Sequence, residues 1–83
     1  MMNDHLVKTI VDVMIFLEFA EDDIVDPDSA IQMIENITAE MCLMDNGAKK
    51  EFVAHISKMA DQYTGEHKDF VKHLPVILGI VSQ

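Results

Sequence analysis

Residues 26–44 read DPDSAIQMIENITAEMCLM, and this stretch decides the fold. Asp26 is a favoured helix N-cap type, and Pro27 suits the first helical position, where its missing N–H would have no partner anyway. Asp28 falls in the first turn, where negative charge favours the helix dipole. Ala30, Met33, Ile34, Ile37, Met41 and Met44 then recur at spacings of three and four, the period of one helical face. Gln32, Glu35 and Ala39 mark the opposite face. Asp45-Asn46-Gly47 is turn chemistry, so the helix is expected to end near Met44.

The segments on either side repeat the pattern. Residues 48–63 carry Phe52, Val53, Ile56, Met59, Ala60 and Tyr63 on one face, and Lys50, Glu51, Ser57, Lys58 and Asp61 on the other. Thr64-Gly65 ends that helix, with Gly65 suited to a left-handed cap. Residues 66–73 form a short helix presenting Phe70, Val71 and Leu74, which Pro75 is expected to stop or kink. The apolar tail 76–81 is expected to pack as an extended or single-turn segment. Upstream, residues 3–20 form a helix whose main face is Leu6, Ile10, Val13, Met14 and Leu17, with Val7 and Val11 alongside. Ile15 and Phe19 lie near Lys8 and Asp12, so this helix is apolar on more than one face and is either central or meets a second molecule. The chain is therefore expected to be all-α: a compact three- to four-helix bundle with short loops and antiparallel neighbours, a single domain over residues 1–83.

Charge is unevenly spread. Residues 1–48 hold one lysine against eleven acids, a net of −10, whereas residues 49–83 hold five lysines against four acids. Six acids fall within residues 18–28: Glu18, Glu21, Asp22, Asp23, Asp26 and Asp28. Such asymmetry creates a negative field that attracts a positively charged partner. The net charge of −9 and the lack of any arginine argue against nucleic acid, because arginine is the usual reader of phosphates and base edges. Charge of this sign also disfavours anionic membranes, and no 18-residue apolar run exists to span one. A hydrophobic content of 49% argues against disorder. Cys42 is the only cysteine, which fits a reducing compartment. The apolar N-terminal stretch has no basic flank and is interrupted by Asp12 and Glu18. No secretory signal is expected, and the cytoplasm is the expected location.

Motifs for catalysis and metals are not found. His5, His55, His67 and His73 form no His-Glu-x-x-His and no i, i+4 pair, so no zinc site is expected. A calcium loop beginning at Asp26 would place Ile31 where glycine is needed and Ile37 where glutamate is needed. Cys42 sits at the edge of an apolar stripe and reads as a small hydrophobe. No cofactor, metal or enzymatic activity is expected.

Ser29 follows an aspartate at a helix start, which resembles the Asp-Ser-Leu attachment site of acyl carrier proteins; that resemblance implies a carrier role. The third residue here is Ala30, and a long helix stands where carriers have a short one. In size, charge and helicity the chain resembles bacterial immunity proteins, with no motif carrying the likeness. That resemblance implies a small acidic protein, an immunity protein or antitoxin, that neutralises a basic toxin by presenting carboxylates where phosphates would sit. The expected contact residues are Glu18, Glu21, Asp22, Asp23, Asp26 and Asp28 for charge pairing, with Ile15 and Phe19 as the apolar anchor. The alternative is a homodimeric helical scaffold that buries Ile15, Phe19 and methionine-rich edges against a copy of itself.

Overall fold

Asn3 opens the first helix: its side-chain oxygen accepts from the His5 N–H at 2.8 Å and the Leu6 N–H at 3.2 Å. The computed structural model describes residues 2–81 of the single domain expected over 1–83. It contains α1 (Asp4–Phe19), α2 (Pro27–Met41), α3 (Asn46–Met59), a 3₁₀ turn (Ala60–Gln62) and α4 (Gly65–Ile77). No strand occurs among the described residues, and no helix is long and apolar enough to cross a membrane. The all-α bundle expected from periodicity is the fold observed.

Caps set most boundaries. Asp26 Oδ2 accepts from the Ser29 N–H at 2.9 Å, with Pro27 following as the first residue of α2. Asp45 Oδ1 accepts from the Ala48 N–H at 2.8 Å, so α3 starts at Asn46 rather than 48. The turn chemistry at 45–47 is thus recruited as a cap. α2 correspondingly ends at Met41, short of the expected Met44. Gly65 has φ 58°, the left-handed geometry expected of it, but as the first residue of α4, which follows the N-cap Thr64.

The core lies between α1, α3 and α4. Val7, Val11 and Met14 meet Phe52, Ile56, Met59 and Ala60, together with Val71, Leu74 and Leu78, all at most 3% exposed. Full burial of each larger side chain is worth about 1.5–3 kcal/mol. The main face expected for α1 is therefore corrected: Leu6 and Val13 are exposed, and Val7 and Val11 are central. α1 is apolar on several faces, and the contact with α3 and α4 selects which one is buried.

Pro75 does not stop α4. The helix runs through it to Ile77, and Leu74, Pro75 and Leu78 are all buried. Their burial offsets the lost hydrogen bond and ring clash, a cost of about 3 kcal/mol in a helix interior. Closure comes next. The Ile80 N–H donates to the Pro75 carbonyl at 2.9 Å and the Gly79 N–H to the Val76 carbonyl at 3.0 Å. These paired bonds close a helix over a left-handed residue, and Gly79 has φ 71°. The tail is thus a helix end rather than an extended segment.

α2 is the least buried helix. It rests on α1, and Ala30 is its one buried residue among those described; Ile34, Ile37 and Met41, and Met44 just beyond it, are half-buried against the core. Met33, expected on the core stripe, is 47% exposed. At its C-terminal end the Cys42 thiol donates to the Leu78 carbonyl at 3.3 Å, tying α2 to the end of α4.

Candidate docking surface

The six clustered acids come together at one end of the α1–α2 hairpin. α1 ends where Ala20 turns to extended geometry while its N–H still reaches the Phe16 carbonyl at 3.0 Å. The chain then makes a single turn, in which Ile24 and Val25 both donate to the Glu21 carbonyl, at 2.9 and 3.0 Å. Asp26 opens α2. This places Glu18 on the last turn of α1, Glu21, Asp22 and Asp23 on the connecting turn, and Asp26 and Asp28 at the start of α2.

All six carboxylates are exposed, and among the described residues none is ion-paired. The lysine and histidine pairs lie elsewhere, on Asp12, Asp4 and Asp61. Asp26 spends one oxygen on the helix cap and on the Ser29 hydroxyl, which donates to it at 2.9 Å. The last turn of α1 holds no basic residue. Glu18 therefore sits at the negative end of the α1 dipole without compensation, and the field there is reinforced.

A shallow apolar depression of about 180 Å³ lies within this surface. Leu17, Val25 and Ile34 are its half-buried lining, Ile31 stands open on one side, and Glu18 and Asp22 stand at its edge. Ile24, on the turn itself, is 66% exposed. An apolar patch edged by charge is the anatomy of a protein interface. Ile24 and Ile31 were not singled out by periodicity, although Ile31 falls off the Ala30–Ile34–Ile37 stripe in the sequence, and that was the available signal.

The two expected anchors sit deeper. Ile15 is half-buried against the core. Phe19 is half-buried, its ring 4.7 Å from that of His67 and 5.6 Å from that of Phe70 on α4. Phe19 therefore fastens the acidic end of α1 to α4.

Two polar clusters brace the bundle away from this surface. His55 and Lys58 of α3 both reach the Asp4 carboxylate, and the His55 hydrogen bond, with help from Lys58, holds its pKa below the ordinary range. The Tyr63 hydroxyl donates to Asp12 Oδ1 at 2.6 Å, while the Lys8 ammonium donates to Asp12 at 2.8 Å and to Tyr63 at 3.3 Å. Burial pushes Asp12 up, but the hydrogen bonds from Lys8 and Tyr63 outweigh it and leave its pKa lowered. Burial and then the Asp12 contact raise Tyr63; the hydrogen bonds to Asp12 and Tyr63 raise Lys8.

Reactive groups do not converge. Ser29 is engaged with Asp26 and Cys42 with Leu78, and neither shares a hydrogen bond with a histidine among the described residues. No three of His, Cys, Asp or Glu among these residues are placed to hold a metal ion. Comparison of the chain with protein-family models, with curated proteins and with solved structures finds no match.

Proposed function

We propose that this protein is a non-enzymatic binding protein that neutralises a basic protein partner, in the manner of an immunity protein or antitoxin acting on a toxin. One observation carries the reading: six exposed carboxylates, none ion-paired among the described residues, cluster at the α1–α2 turn, and two of them, Glu18 and Asp22, edge an apolar depression there. The carboxylates steer a cationic partner and pair with it. Ile24, Ile31 and the depression supply the apolar contact that charge alone does not. Toxins that act on nucleic acid need a cationic site for phosphate, and a cluster of carboxylates can occupy such a site in place of substrate.

Affinity capture tests this. Tagged protein is incubated with extract of its native cell at low and high salt, and retained proteins are identified by mass spectrometry. A basic protein retained at low salt, and lost with Asp22→Lys/Asp23→Lys, is the expected result. Recovery of the chain alone, under every condition, contradicts the reading.

A further inference from the structure

We infer that the open face of the α1–α2 hairpin is a self-association surface, on which a second copy of this chain docks with its own hairpin antiparallel. A groove of about 320 Å³ runs between the two helices, lined mainly by Ile10, Val13, Met33, Ile37 and Met41. Val13 is 41% and Met33 47% exposed, and Leu6 and Phe16, 66% and 53% exposed, continue the Val13 line along α1 at helical spacing.

Three observations select a second copy as the occupant. The first is charge. In a chain with 15 acids and a net charge of −9, Glu40 is, among the described residues, the only charged one lining the groove. A basic partner is drawn to the six carboxylates at the hairpin's end and finds a single one, Glu40, to pair with here, whereas a surface nearly free of charge is where two equally acidic molecules can meet. The second is burial. α2 rests on α1 with Ala30 as its one buried residue among those described; a second hairpin laid across the groove completes a four-helix arrangement and covers Met33, Ile37 and Val13. The third is area. A face two helices wide and 16 residues long offers on the order of 500 Å² per protomer, or about 1,000 Å² for the pair, the lower bound for a specific interface.

The antiparallel sense follows from the acids. A two-fold axis through the groove sends the two 18–28 clusters to opposite ends, separated by about the 24 Å length of α1. That exceeds a Debye length of about 8–10 Å, so the two clusters are largely screened from each other. A parallel pair would bring twelve carboxylates together. The dimer then carries two independent acidic docking ends, and the groove and the docking surface can each fail without the other.

Sedimentation equilibrium over a micromolar to millimolar series tests the inference, with circular dichroism to check folding. Wild type is expected to shift from 9.4 kDa toward twice that mass with concentration, and added salt should not weaken the association. Val13→Glu and Met33→Glu each place a carboxylate in the groove at a side chain already partly exposed; each should weaken association roughly tenfold or more. Ile77→Glu, on the exposed side of α4, should leave it intact. A wild-type mass fixed at 9.4 kDa throughout overturns the inference. So does association that survives both groove substitutions, or that is lost with Ile77→Glu alone. Should the variants fail to fold, the wild-type series still decides whether the chain self-associates, and a spin label at position 77 that stays mobile in the dimer, against one at position 36 that is immobilised, decides the face.

Discussion

The Phe19 ring at the end of α1 meets the Phe70 ring of α4 edge to face, with centroids 5.6 Å apart and planes at 83°. The contact fixes the last turn of α1, and with it Glu18 and the start of the acidic turn, to the body of the bundle. Rigid placement matters for a charged docking surface, because ordering it on binding would cost affinity.

Truncating that contact should therefore cost stability. Phe19→Ala is expected to lower unfolding free energy by about 1–3 kcal/mol, below the range for a fully buried ring because Phe19 is only half-buried. A double-mutant cycle with Phe70→Ala should give a coupling of about 0.5–1.5 kcal/mol by urea denaturation. Strictly additive losses would mean the two rings are neighbours without interaction.

Capping gives a second expectation. Asp26→Ala removes the acceptor of the Ser29 N–H and should cost about 1 kcal/mol. Asp45→Ala, which removes the corresponding acceptor for Ala48, should cost a similar amount. Asp28→Ala, which caps nothing, should cost less. Equal unfolding midpoints for wild type and Asp26→Ala would refute the cap.

Glycine substitutions should separate in sign. Gly79 has φ 71°, and an added Cβ would lie 3.4 Å from Cys42 Sγ. Gly79→Ala is expected to destabilise by about 1 kcal/mol or more. Gly47 is the second residue of α3 and has no positive φ, and an added Cβ would lie 3.4 Å from Asp45 Oδ1, an ordinary contact, so Gly47→Ala should stabilise by up to about 0.5–1 kcal/mol. Thermal melts of the two variants read this directly; shifts in the same direction would contradict it.

These contrasts also show what the sequence could carry. Asp26, Pro27 and Asp28 announce α2 because capping is local chemistry, complete within four residues. The α3 stripe from Phe52 to Ala60 was legible because that helix has one apolar face. α1 has several, so its periodicity fits more than one orientation, and only α3 and α4 decide that Val11 is inside and Val13 outside. Pro75 misleads for a related reason: its local cost is real, but the burial that offsets it comes from residues distant in the chain. The acidic cluster was visible as charge. The depression lined by Leu17, Val25 and Ile34 was not, because it forms only when the two helices meet.

Stability should fall at both extremes of pH. The Asp4 and Asp12 carboxyls have lowered pKa values in the folded protein, so their contribution is present above the ordinary carboxylate range. It is lost as pH falls through the lowered values, where the unfolded chain already holds more protons. Lys8 and Tyr63 are raised. Above about pH 10 the unfolded chain releases protons that the folded one keeps, so stability declines there too. Tyr63→Phe should cost about 1 kcal/mol near neutrality through the lost bond to Asp12 and flatten the alkaline limb. Urea midpoints as a function of pH check both; an alkaline limb unchanged in Tyr63→Phe would assign it to other groups.

The most direct test of the proposed docking role is the association rate with a basic partner retained in affinity capture, followed by stopped flow across ionic strength. Steering by the free carboxylates at residues 18–28 should give a rate that falls steeply with salt, and Asp22→Lys/Asp23→Lys should lower the low-salt rate toward the high-salt value. A rate indifferent to both salt and charge reversal would contradict the account and leave the cluster as solvated surface.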